Sequence, residues 1–132
     1  MKRLSLLLAG LSAFVPALAH HSLSGQFDVD KSVHLTGTVS RVDWINPHVY
    51  IHLDVKQPDG STATWRLESL PVAMMRKAGL TKNELMAGGG TLEVDAHPAR
   101  SGAPHLGYLL HVRLPDGRFI QFSQIPGAQP PP

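Results

Sequence analysis

HVYIHLDVKQPDGSTATWRLE, residues 48–68, decides the fold. Val49, Ile51, Leu53 and Val55 alternate with His48, Tyr50, His52 and Asp54, a period of two that puts one face of a strand inward and the other outward. Ala63, Trp65 and Leu67 alternate in the same way with Thr64, Arg66 and Glu68. Between the two runs Pro58-Asp59-Gly60 supplies a turn, because proline presets φ and glycine accepts a positive one. Residues 48–68 therefore read as a β-hairpin.

Working outward, the preceding residues continue the strand pattern but change phase. Val33, Leu35, Gly37 and Val39 share one face, whereas Val42 and Trp44 fall on the other. Such a switch inside one long strand predicts a bulge near Ser40-Arg41, with Gly37 permitting a bend. Asn46-Pro47 marks the turn into the hairpin. After the hairpin, Ser69 is placed to cap a helix that has Pro71 in its first turn and Gly79 at its end. Thr81-Lys82-Asn83-Glu84 has capping-box spacing and starts a second short turn bearing Leu85 and Met86. Leu92, Val94 and Ala96 then predict a fourth strand, residues 98–107 a loop, Tyr108–Leu114 a fifth strand, and Arg118–Phe122 its return across Pro115-Asp116-Gly117. Three strands, a helix and two more strands are the order of an OB-fold. The expected class is mainly β, a small OB-like five-stranded β-barrel with one helix between strands 3 and 4, spanning residues 33–125.

The flanks carry the export reading. Lys2 and Arg3, the apolar run Leu4 to Val15, and Ala17-Leu18-Ala19 form the three parts of a cleavable signal peptide over residues 1–19. The apolar run is short of the ~20 residues that a membrane-spanning helix needs. The expectation is a periplasmic protein, released by cleavage and not inserted in the membrane. Residues 20–32 read as an extended N-terminal arm that docks on the barrel, and residues 126–132 as a disordered proline-rich tail.

Charge and composition narrow the function. The 132-residue chain has 12 Lys+Arg against 10 Asp+Glu, and loss of Lys2 and Arg3 with the leader removes that excess. A balanced exported domain with few aromatic residues lacks the concentrated positive face that nucleic acid requires. Nucleic acid is excluded as a partner on that ground. There is no cysteine, so the fold must stand without disulfides and any metal site must use His, carboxylate, Met or an amine. No G-x-S-x-G, H-E-x-x-H or P-loop pattern is present, and Asp43, Asp54, Glu68 and Asp95 have no spacing that singles them out as an acid–base pair. The chain is read as a non-enzyme.

Eight histidines are the compositional oddity. Cleavage after Ala19 would expose His20 as the first residue, offering an α-amine and an imidazole that chelate one ion. A third nitrogen, from His21 or from His48, completes a plane suited to copper as Cu(II). His48 and His52, four apart on a strand, lie ~13 Å apart and cannot share an ion. His48 can equally cap the Asn46-Pro47 turn by hydrogen bonding. Met74, Met75 and Met86 fit core packing at their helical spacing. A second, metal-free reading makes the polar strand face of Tyr50, His52, Arg66 and Glu68, with His97 and Arg100 in the following loop, the contact surface for a small ligand or an envelope protein. His52 is then solvent-exposed, and His34, His105 and His111 are surface or loop residues.

The segments HHS at 20–22, LTGTVSRVDWINPHVYIHLDV at 35–55, GLTKNEL at 79–85 and AHPARSG at 96–102 resemble a family of small exported bacterial proteins catalogued only as a domain of unknown function. The resemblance spans nearly the whole mature chain and rests on the His-His-Ser start and the W-x-N-P-H motif. It implies a periplasmic, lipid-free, β-barrel-like protein and no particular reaction. Ala87-Gly88-Gly89-Gly90 departs from the family's proline-glycine linker with its charged residue, which makes this helix-to-strand connection more flexible.

Overall fold

A computed structural model describes residues 23–87 and 89–124. The leader, His20, His21 and the tail at 126–132 lie outside the described residues. The first strand, β1 (Val33–Asp43), is long enough to serve two neighbours. Its first half pairs antiparallel with β4 (Thr91–Pro98) and its second half with β2 (Tyr50–Lys56). The register slips between Val39 and Arg41, which is the bulge that the phase switch predicts. Gly37 sits against β2 so closely that a Cβ there would overlap the Asp54 carbonyl oxygen. Its lack of a side chain lets the strand bend from one sheet half into the other.

β2 and β3 (Thr62–Glu68) form the expected hairpin, with Tyr50 opposite Glu68 and His52 opposite Arg66. The ring closes where β3 runs parallel to β5 (Leu106–Arg113), pairing Arg66 through Glu68 with Leu106 through Tyr108. β5 returns antiparallel to β4, and the short β6 (Phe119–Gln121) extends the sheet beyond the barrel. The closed five-stranded ring thus runs β1–β2–β3–β5–β4, with mixed pairing and one extra strand. Ile51, Leu53, Leu67, Val94, Leu109 and Val112 fill its interior. The first four are inward positions of the alternation read from the sequence; Leu109 and Val112, three apart, both face inward because the β4–β5 register shifts between Asp95 and Ala96.

Two short helices cover one end of the ring. In α2 (Val72–Lys77), Met75 is buried; in α3 (Lys82–Met86), Leu85 is buried; Leu80 between them is also buried. Ser69 does not cap α2. Pro71 occupies the N-cap, and the Val72 N–H is answered by Asn46 Oδ1 at 3.2 Å. Ser69 is instead buried, its hydroxyl directed at Met75 Sδ at 3.2 Å. Thr81 caps α3 as expected, accepting from the Glu84 N–H at 3.2 Å. Met86 is 40% exposed and so is no core filler. A final turn of 3-10 helix, Phe122–Gln124, brings Phe122 into the core.

Candidate functional site

The arm is docked, but it is not fully extended. Leu23–Gln26 form one helical turn, α1, closed by the Phe27 N–H donating to the Leu23 carbonyl at 2.8 Å. A single turn has no hydrophobic period to betray it, so the polar sequence read as extended. Phe27 drives the docking: it is 2% exposed, and its ring lies 5.6 Å from that of Tyr108 on β5. Around it the backbone is stitched to the end of β4 and the residues after it. The Asp28 N–H donates to the Pro98 carbonyl at 2.9 Å, and the Arg100 N–H to the Gln26 carbonyl at 2.9 Å. Arg100 Nε adds a bond of 2.8 Å to the Ser24 carbonyl.

Between this arm and the outer face of β2, β3 and β5 lies an open cleft of about 580 Å³. Tyr50, Arg66, Glu68 and Arg100 all line it, together with Phe27 and Leu106. The alternation of the hairpin explains the first three, since outward residues of register-paired strands stand side by side. The Arg66 guanidinium lies over the Tyr50 ring, 4.0 Å from its centroid. The Tyr50 hydroxyl donates to Glu68 Oε2 at 3.3 Å, and Nδ1 of His48 donates to Glu68 Oε1. Partial burial, reinforced by the Glu68 charge, pushes the Tyr50 phenol above its ordinary value. It therefore stays a donor across the physiological range. Burial raises Tyr108 in the same way, with Glu68 again adding to it.

Four of the residues singled out from sequence are thus brought together, and His48 joins them through Glu68. Two are not. His52 turns away toward β1, where its Nε2 meets Asp43 Oδ2 at 2.9 Å. Its side chain is only 14% exposed, contrary to the solvent-exposed position expected. Asp43 is also held by Arg41 Nη2 at 2.8 Å, and these two contacts, Arg41 first, lower its carboxyl to about 2. His97 is likewise not in a loop: β4 runs on through Pro98, and the imidazole is buried with Nδ1 donating to the Lys31 carbonyl at 2.6 Å. Proline reads as a breaker, yet at a strand's last position it loses nothing that the ladder needs. His97 is therefore a fastening of the arm.

Sequence reasoning missed Phe27 and Leu106 as cleft walls, because nothing local signals that the arm returns to β5. It also missed that Asp95 serves two imidazoles, His34 Nδ1 at 2.6 Å and His111 Nε2 at 2.8 Å, across the adjoining strands β1, β4 and β5. Among the described residues, no group of three or more His, Cys, Asp or Glu is arranged to hold a metal ion. The nearest to a ligand is His48. Glu68 holds its Nδ1, so Nε2 is the ring nitrogen that this contact does not use. Among the described residues no helix is long and apolar enough to cross a membrane.

Residues 9–107 match the family of unknown function DUF6152, and the chain belongs to that family. Comparison with curated proteins and with solved structures gives no match.

Proposed function

We propose that this member of DUF6152 is an exported, non-enzymatic binding module of the bacterial periplasm, which holds a small ligand, or an exposed group of an envelope protein, in the cleft between its arm and its barrel. One observation carries the reading: Tyr50, Arg66, Glu68 and Arg100, from two strands and a distant loop, line a single cleft. Convergent polar groups over a partly apolar floor are what an orienting site needs. Its test is a binding screen against the processed protein, read by backbone amide NMR. Ligands should perturb Tyr50, Arg66, Glu68 and Arg100, and His20→Ala with His21→Ala should leave that response intact. Shifts scattered away from the cleft would sink the reading. Export is checked by intact mass of protein recovered from the periplasm, with the expected chain starting at His20.

A specific feature favours a second reading, copper or another divalent ion held by His20, His21 and His48. Glu68 grips Nδ1 of His48, the outer-sphere contact that orients a metal-ligating imidazole and raises its basicity. The described arm begins at Leu23, and its next residues wall the cleft to which Glu68 belongs. Calorimetric titration with Cu(II) decides it. A version carrying one extra residue before His20 should bind markedly more weakly, and equal affinity removes the amino-terminal site.

A further inference from the structure

We infer that the cleft's ligand carries an oxyanion, a carboxylate or phosphate group, gripped between Arg66 and Arg100; this deepens the cleft reading above and rests on it. Three of the four other described arginines set the contrast, Arg76 on α2 being the exception. Arg41, Arg113 and Arg118 each face a carboxylate within ion-pair distance, on Asp43, Glu93 and Asp116 respectively. Among the described residues, Arg66 and Arg100 form no such pair. Glu68, two residues from Arg66 and on the same face, makes no ion pair with it and is instead bonded by His48 at Oε1 and by Tyr50 at Oε2. Asp28 senses the Arg100 charge but is itself bound to Lys31 Nζ at 2.9 Å. The cleft therefore sets two guanidiniums against one committed carboxylate.

Both guanidiniums are also aimed. Arg66 lies against the Tyr50 ring, which fixes the guanidinium while leaving its N–H edge free to fork onto two oxygens. Arg100 spends Nε on the Ser24 carbonyl, so the direction of its two terminal amino groups is set by the docked arm. Holding the side chains in advance lowers the ordering cost of binding. Phe27 and Leu106 supply an apolar wall for the remainder of the ligand.

The test uses the whole processed chain from His20 onward, titrated at constant ionic strength with acetate, inorganic phosphate and neutral acetamide. Amide shifts of Tyr50, Arg66, Glu68 and Arg100 are followed by NMR. At least one of the two anions should saturate these shifts and acetamide should not; the tighter anion identifies the group as carboxylate or phosphate. Arg66→Gln, which removes no hydrogen bond of the fold, should weaken that anion about ten-fold. Arg100→Gln should do the same, and Arg76→Gln on α2 should change nothing. Acetamide binding as well as the anions, or unaltered anion affinity in Arg66→Gln, overturns the oxyanion while leaving the cleft in place. Absence of any cleft response to all three probes and to a wider ligand screen overturns both.

Discussion

Asp43 is a carboxylate that its neighbours hold well below its ordinary range. The Arg41 guanidinium and the His52 imidazole hold its carboxyl at about 2, below the ordinary 3.8. A carboxylate whose folded value lies lower binds fewer protons when folded, so its stabilisation is complete above the unfolded value and fades as pH falls toward the folded one. Acid unfolding followed by circular dichroism should therefore show a steeper loss between about pH 4 and pH 2 in the native chain than in Asp43→Asn. Superimposable profiles would show that the contact contributes nothing. At this scale the sequence was a partial guide. Tyr50, Arg66 and Glu68 were legible because alternation alone puts them on one outer face. The His52–Asp43 contact was not, since Asp43 reaches β2 only after a bulge has reset the register of β1.

At the level of elements, β1 depends on a missing side chain. Gly37→Ala would drive a methyl group into the Asp54 carbonyl, and overpacking of this kind costs about 1–3 kcal/mol. Urea denaturation should show the loss, and an unchanged midpoint would mean that β2 can move aside. The arm is a second separable element. Removing the ring in Phe27→Ala should free it from Tyr108 and hasten hydrogen exchange at the Asp28 and Arg100 amides, whose bonds tie it to Pro98 and Gln26. Exchange as slow as in the native chain would assign the docking to those bonds alone. The bulge, the hairpin and the Thr81 cap were readable because each is written within a few consecutive residues. The helical turn of the arm was not, because one turn is too short to carry a period, nor was the early start of β5 at Leu106, which is imposed by a strand far along the chain.

Over the whole molecule, element order was enough to suggest a barrel, and the observed ring has the strand order that goes with it. What the order could not disclose is that the ring closes through a parallel pairing, or that the cleft is built on its outer wall. Phe122 shows how far the core extends past the ring: it lies beyond β6 and is nonetheless 2% exposed. Phe122→Ala should cost about 3–5 kcal/mol, as for other buried aromatic truncations, read as a lowered denaturation midpoint. A loss below 1 kcal/mol would mean that the final turn merely rests on the surface.

The parallel ladder that completes the ring is three residue pairs long, Arg66 to Glu68 against Leu106 to Tyr108, and three of those six residues also face the cleft. The buckle of the belt and the seat of the ligand are the same piece of chain. Whatever prises β3 from β5 dismantles the seat, and whatever occupies the seat rests across the buckle.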